Sequence, residues 1–214
     1  NNSPYKDIGL EITASNLCSE IQLPTDSYNS FVCCLGSINL LHWDEIKETD
    51  AVQTYVYFLN AVMDEFIIKS ETMPGMKRAY NFAEKHRAIG LGVLGYHSLF
   101  QSKLIEFESL EAKQLNSEIF RTIKDRSEIA SRKLNSEYGY SSLREGYANT
   151  TLMAIAPTKS SSFIHGAVSM GIEPIKSNYF IKDLAKSKTV YKNPFLECEL
   201  EKYGINNDKT WKSI

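Results

Sequence analysis

The chain has 214 residues, of which 43% are hydrophobic and 23% are charged, a composition typical of a globular protein with one substantial core or two small ones. Its 24 basic and 26 acidic side chains give a net charge of −2, which provides no overall attraction to nucleic acid or to an anionic membrane. The sequence shows neither a membrane-spanning apolar run nor a signal-peptide pattern, so we expect a cytoplasmic protein. Thiols stay reduced in that compartment, so the four cysteines indicate neither a disulfide framework nor, from their spacing, a zinc site.

The first segment with chemical interest is NLCSEI, in which Asn16, Cys18 and Glu20 stand at alternate positions. In an extended segment these side chains would share one face, which would bring an amide, a thiol and a carboxylate into one small volume. A nearby carboxylate raises the pKa of a thiol, so this cysteine would serve better as a neutral S–H that exchanges hydrogen atoms than as a thiolate nucleophile. An edge strand with a polar outer face explains the same pattern without any chemistry.

The next segment, SFVCCLGSINL, predicts a short apolar strand or a buried turn. Adjacent cysteines are poorly placed to form a disulfide with each other, so if Cys33 or Cys34 is redox-active, its partner lies elsewhere in the fold. The structural alternative is that both are small residues buried in an apolar strand.

Apolar residues at helical spacing predict three helices in the middle of the chain. The first covers about residues 50 to 70, with Asp50 as its N-cap, and the second runs from about Met76 to His86. The third and longest extends from Ser109 to near Tyr138, and Gly139 is expected to end it.

Residues 90 to 95 read GLGVLG and match the dinucleotide-binding pattern GxGxxG through Gly90, Gly92 and Gly95. That fingerprint must follow a strand and open a helix, whereas the residues before it have a helical pattern. A turn or tight helix packing therefore explains the glycines better, and a dinucleotide site is the less favoured alternative.

The segment from 150 to 166, TTLMAIAPTKSSSFIHG, predicts a strand, a turn and the start of a helix. Leu152 to Ala156 is an apolar run of strand length that Pro157 ends, as in a parallel sheet buried on both faces. A turn between a strand and a helix can present free backbone N–H groups to an anion, although hydroxyl-rich loops also form for purely local reasons. The turn contains the residues Thr158, Lys159, Ser160, Ser161 and Ser162.

The alternation of strands with helices makes α/β the predicted fold class, and no linker divides the chain, so we expect residues 1 to 214 to form one unit. Cys198 is expected to be a small buried residue, and the chain is expected to end in a polar, frayed tail from about residue 197. The four histidines show no metal-ligand spacing, so no metal site is expected.

Taken together, several segments resemble the large, catalytic subunit of ribonucleoside-diphosphate reductase. NLCSEI resembles the active-site finger loop of that family, and VCCLGSINL resembles its redox-cysteine strand. A characteristic mid-chain turn of the family is similar to HRAIGLGVLG, and its phosphate-binding loop is similar to APTKSSSFIHGAVSMGIEP. An Asn-Pro segment of the family is similar to YKNPFLECELEKYG. The similarity covers nearly the whole chain in the right order.

The resemblance implies a role for each matching residue. Cys18 would form the thiyl radical that takes the 3′ hydrogen of the ribose, with Glu20 as the general base at the 3′ hydroxyl and Asn16 orienting the sugar hydroxyls. Cys33, rather than Cys34, would be one of the two thiols that reduce the radical intermediate. The substrate phosphates would be held by Thr158, Ser160, Ser161 and Ser162, whereas Lys159 occupies a variable position in that loop.

The resemblance also implies a fold and a set of partners. The chain would be part of a ten-stranded α/β barrel, and it would contain neither the strand with the second reducing cysteine nor the tyrosines that receive the radical. We therefore expect a fragment or a split half that is inactive without the rest of the large subunit. The chain itself would bind no cofactor, because a separate metal-containing small subunit supplies the radical and an external dithiol such as thioredoxin or glutaredoxin supplies electrons. A non-catalytic nucleotide-binding or assembly module of the same fold is the alternative function, and a dinucleotide-dependent oxidoreductase that uses GLGVLG is a more remote one.

Overall fold

A computed structural model describes residues 3–184 and 187–214 of the chain. Its α-helices are α1 (Pro4–Asp7), α2 (Trp43–Ile46), α3 (Ala51–Glu71), α4 (Lys77–His86), α5 (Tyr96–Ser102), α6 (Leu110–Tyr138), α7 (Ser161–Ile164), α8 (Pro194–Lys202) and α9 (Asp208–Trp211). Its strands are β1 (Cys34–Asn39), β2 (Ile89–Leu94), β3 (Tyr179–Leu184) and β4 (Ser187–Lys192), and a short 3-10 helix covers Leu40–His42.

The centre of the fold is a parallel strand–helix–strand unit, which confirms the predicted α/β class. β1 and β2 pair in parallel, with Cys34 opposite Ile89 and Asn39 opposite Leu94, and α3 and α4 connect them. The segment 151–155 runs along the other side of β2. There the N–H of Leu91 donates to the carbonyl of Leu152 at 2.8 Å, and the N–H of Ala154 donates back to Leu91 at 3.3 Å. The predicted strand at 152–156 is therefore extended and parallel to β2, although only one of its residues forms a regular bridge.

The main core lies between this sheet and the long helices α3 and α6. Every residue of β2 is buried, as a central strand covered on both faces requires. The predicted boundaries of α6 are confirmed, because the Ser109 hydroxyl accepts a hydrogen bond from the N–H of Ala112 and Gly139 ends the helix with a φ of +75°. Asp50 precedes α3 as predicted, but its side chain makes no capping hydrogen bond.

The prediction of a turn at GLGVLG is wrong, because Gly90 and Gly92 lie inside β2. A Cβ added to Gly92 would lie 2.1 Å from the carbonyl oxygen of Ala154, so glycine is needed for the segment 151–155 to approach β2. Only Gly95, with a φ of +75°, lies between the strand and the following helix. The glycine pattern thus reflects packing of two backbones and leaves no space there for a dinucleotide pyrophosphate.

The prediction that Cys198 is buried is also wrong. The C-terminal region, expected from its composition to be a polar tail, contains α8 and α9, and Trp211 is buried beside the ring of Tyr179. Cys198 is exposed, because α8 turns Leu200 toward the protein and positions two residues apart lie on different helix faces. Local helix formation and one aromatic anchor thus order a segment whose composition is polar.

The described strands form two separate two-stranded sheets, β1 with β2 and β3 antiparallel to β4. Within residues 3–184 and 187–214 they do not close into a barrel. None of the helices in these ranges is long and apolar enough to span a bilayer.

Candidate functional site

The segment with Asn16, Cys18 and Glu20 is a tight turn, so the predicted extended conformation with all three side chains on one face is wrong. The N–H of Asn16 donates to the carbonyl of Ile21, and the N–H of Ile21 donates to the side-chain oxygen of Asn16, both at 3.1 Å. Ser19 has a φ of +63°, which reverses the chain. Cys18 is therefore exposed at the tip of a hairpin, and Asn16 closes its base.

Glu20 lies on the side of this turn that approaches Cys33. One of its carboxylate oxygens is buried and has no hydrogen-bond partner among the described residues. The pKa of the Cys33 thiol is raised to about 12, mainly by burial and to a smaller extent by the adjacent Cys34 and the negative charge of Glu20. Cys33 is therefore a neutral thiol at neutral pH, next to a carboxylate.

Cys33 and Cys34 face different surroundings, because successive side chains of a strand point to opposite sides. Cys33 packs with Ala154 against a small core cluster that includes Tyr5 and Phe82. Cys34 packs against the main core, where burial raises the pKa of its thiol. Both are free thiols, in agreement with the prediction that they do not pair with each other.

The hydroxyl-rich loop begins with backbone strain at Thr158, whose φ is +46°. Its hydroxyl oxygen accepts a hydrogen bond from the N–H of Gly171 at 2.8 Å, which holds this conformation. Ser162 is fully buried, and its hydroxyl donates to the carbonyl of Lys159, so its side chain fixes the loop. Ser160 and Ser161 are exposed. The N–H groups of both serines have no acceptor within the described residues.

A cavity of about 320 Å³ lies between this loop and β1. Its lining contains Leu35, Gly36, Ser37, Tyr55, Leu94, Ala156, Thr158, Ser161 and His165. Two of the predicted phosphate-binding residues, Thr158 and Ser161, are thus brought beside the strand that follows Cys33, whereas Ser160 and Lys159 are not part of the lining.

Three polar residues of the cavity, Ser37, Tyr55 and His165, were not predicted from the sequence. The signal for Ser37 was available, since it lies four residues after Cys33 on the same face of the strand. Tyr55 comes from α3 and covers Gly36, where an added Cβ would be 2.7 Å from its ring. His165 lies in the segment APTKSSSFIHGAVSMGIEP that resembles the phosphate-binding loop, but the resemblance assigned no role to it.

These features define an α/β protein in which a half-buried neutral thiol, a carboxylate on a turn and a polar cavity are grouped around one parallel strand. The family model of the ribonucleotide reductase barrel domain matches residues 1–143 and 140–214, and the chain belongs to this family. The resemblance found in the sequence is thereby confirmed.

Individual relatives agree with this assignment. The chain is 37% identical over 209 residues to the putative ribonucleoside-diphosphate reductase large subunit of Frog virus 3 (isolate Goorha), a match that covers 96% of the chain and 37% of the relative. It is 30% identical over 231 residues to a vitamin B12-dependent ribonucleoside-diphosphate reductase of Thermoplasma acidophilum, over 99% of the chain and 28% of the relative. Among solved structures, the class Id ribonucleotide reductase alpha subunit of Actinobacillus ureae superimposes with a TM-score of 0.91 and 49% identity, over 99% of the chain and 39% of that subunit. The chain thus spans well under half the length of these proteins.

Proposed function

We propose that this chain is a catalytic-barrel segment of a ribonucleoside-diphosphate reductase large subunit, which converts ribonucleoside diphosphates to deoxyribonucleoside diphosphates. The observation that carries the proposal is the match over almost the whole chain to the alpha subunit of a class Id ribonucleotide reductase. The arrangement of Glu20, the neutral Cys33 thiol and the cavity beside Thr158 and Ser161 supports it.

In this proposal, Cys18 carries a thiyl radical that abstracts the 3′ hydrogen of the ribose. Glu20 accepts the proton of the 3′ hydroxyl, and water leaves from the 2′ carbon, while Asn16 orients the two hydroxyls. Cys33 and a second thiol outside this chain provide two electrons and two protons and become a disulfide, and Cys18 then recovers its hydrogen atom. The exposed tip position of Cys18 suits a radical site that must reach into a substrate pocket, and the protonated state of Cys33 suits a hydrogen donor.

The remaining parts of the proposal concern the whole enzyme. Residues 1 to 214 form one unit, the C-terminal part of a ten-stranded barrel that the rest of the large subunit completes. Thr158, Ser160, Ser161 and Ser162 hold the substrate phosphates, and the protein works in the cytoplasm. A separate metal-containing small subunit supplies the radical, although some relatives of the chain are vitamin B12-dependent enzymes. Thioredoxin or glutaredoxin reduces the disulfide, and the chain without its completing segments is inactive.

The test is steady-state reduction of a ribonucleoside diphosphate by the complete large subunit with its radical-generating partner. Cys18→Ser should abolish turnover, because the serine hydroxyl cannot form the radical that the Cys18 thiol carries in this proposal. Cys198→Ser is the matched control, since Cys198 is exposed on α8, and it should retain full activity. If Cys18→Ser turned over normally, the catalytic role would be wrong, and a non-catalytic nucleotide-binding or assembly module would replace it.

A further inference from the structure

The cavity between β1 and the hydroxyl-rich loop has an uneven distribution of charge. Its lining contains four residues with hydroxyl groups, Ser37, Tyr55, Thr158 and Ser161, and within residues 3–184 and 187–214 it contains neither an aspartate nor a glutamate. Among these described lining residues, His165 is the one whose side chain can carry a positive charge. A phosphate group in this cavity would therefore find hydrogen-bond donors, no repelling carboxylate and one potential cation.

The backbone directs His165 toward the same space as the loop serines. His165 lies four residues after Ser161, and its N–H donates to the carbonyl of Ser161 at 2.9 Å, which completes one helical turn. Residues four apart on a helix share a face, so both side chains border the cavity. The side-chain N–H of Asn39, at the end of β1, donates to the carbonyl of His165 at 3.4 Å and ties this turn to the strand.

The size of the cavity fits a part of a nucleotide. About 320 Å³ is near the lower limit of small-ligand pockets, which is adequate for a phosphate chain but not for a complete nucleotide. Lys159, the other basic residue of the loop, is exposed and does not border the cavity. Among the described residues that line the cavity, the histidine is therefore the candidate for a charge contact to phosphate.

We propose that His165 is a further substrate-binding residue, whose imidazole contacts the phosphate groups of the ribonucleoside diphosphate in this cavity. This inference rests on the proposed function, because it assigns one more contact within the same substrate site. It gives His165 a role in binding and none in the radical chemistry.

The experiment measures KM and kcat for a ribonucleoside diphosphate with the complete enzyme carrying His165→Gln or His165→Lys. Loss of one charge-assisted contact should raise KM about tenfold in His165→Gln, equivalent to about 1.4 kcal/mol, while kcat stays within about twofold. His165→Lys, which places a cationic N–H donor at this position, should retain most of the affinity that His165→Gln loses. Inorganic pyrophosphate, which has no sugar or base, should inhibit competitively, and its inhibition constant should rise in His165→Gln by about the same factor as KM.

His42→Gln is the matched control, because His42 is exposed and does not border the cavity. An unchanged KM in His165→Gln, an equal change in His42→Gln, or a fall in kcat at constant KM would each overturn the inference. If the wild-type enzyme reduces ribonucleotides, any of these three outcomes counts against the role of His165 and leaves the proposed function intact. A wild-type enzyme without reductase activity would overturn both.

Discussion

Replacement of Gly92 by alanine tests the close packing of β2 against the segment 151–155. The new Cβ would lie 2.1 Å from the carbonyl oxygen of Ala154 and 3.1 Å from both the carbonyl carbon of Ala154 and the Cα of Ile155. All three neighbours are backbone atoms, so no side chain can rotate away. To restore an ordinary contact, the segment must move away from β2 by at least about 1 Å, since a Cβ is in normal contact with its neighbours only from 3.4 Å outward.

That movement would break buried hydrogen bonds. The pair between Leu91 and its neighbours Leu152 and Ala154 joins the two backbones, and each buried group left without a partner costs about 1 to 3 kcal/mol. We therefore expect Gly92→Ala to reduce the free energy of unfolding by about 3 to 5 kcal/mol, a large part of the 5 to 15 kcal/mol typical of a domain. Gly75→Ala is the control, since Gly75 has a positive φ but open space around it, and we expect a loss of about 1 to 2 kcal/mol there.

Urea unfolding gives the free energies, and hydrogen–deuterium exchange of peptides that cover residues 89–94 and 151–156 locates the change. Exchange should increase in both peptides for Gly92→Ala and in neither for Gly75→Ala. Equal stability losses in the two variants, with unchanged exchange, would refute the packing argument. Detectable NAD binding that Gly92→Ala abolishes would instead support the dinucleotide alternative.

Three further predictions concern buried ionisable groups. Burial lowers the pKa of His86 from its ordinary value of 6.5 to about 4, so between these pH values the unfolded chain binds a proton that the folded chain does not. The free energy of unfolding should therefore fall by roughly 3 kcal/mol as the pH decreases from 6.5 to 4. His86→Phe should remove this part of the pH dependence, as urea titrations at several pH values can measure. Cys33 should react slowly with iodoacetamide at pH 8. Glu20→Gln should increase its rate only modestly, because it removes the smallest of the three causes of the raised pKa, and mass spectrometry of labelled peptides measures both rates. Arg87→Ala should cost about 3 to 5 kcal/mol in thermal or urea unfolding, because it leaves the partly buried Asp64 carboxylate without its cation.

The first two of these predictions have an internal reference. His97, whose pKa burial also lowers, is partly exposed, and His97→Phe should change the pH dependence less than His86→Phe. The exposed Cys198 should be labelled at the same rate in every variant. A Cys33 thiol that reacts as fast as Cys198 at pH 8 would contradict its burial beside Glu20.

The sequence predicted those parts of the fold that depend on local signals. The helix Leu110–Tyr138 has a serine N-cap, a glycine C-cap and a continuous apolar stripe, all of which act within a few residues. Strand β2 was missed because its glycines have low strand propensity, and its burial depends on a segment about sixty residues away. For this strand, tertiary contact overrides local preference.

The site was predictable in composition but not in geometry. Cys33 and the loop from Thr158 to Ser162 were identified from motifs, whereas the shape of the turn around Cys18 was not. That turn depends on a hydrogen bond to the Asn16 side chain and on the left-handed backbone of Ser19, neither of which an alternating pattern reveals. His165 lies in the segment that resembles the phosphate-binding loop, but only the packing of this loop against β1 brings it to the cavity.

The most direct test of the central claim is a single turnover by the complete, pre-reduced large subunit with its radical-generating partner and no external dithiol. Deoxyribonucleotide yield per subunit is measured together with the oxidation state of Cys33 by differential alkylation. We expect product in wild type with Cys33 converted to a disulfide, and no deoxyribonucleotide from Cys33→Ser. Product formed while Cys33 remains a free thiol, or equal yields from wild type and Cys33→Ser, would contradict the proposal that this chain supplies a reducing thiol to ribonucleotide reduction.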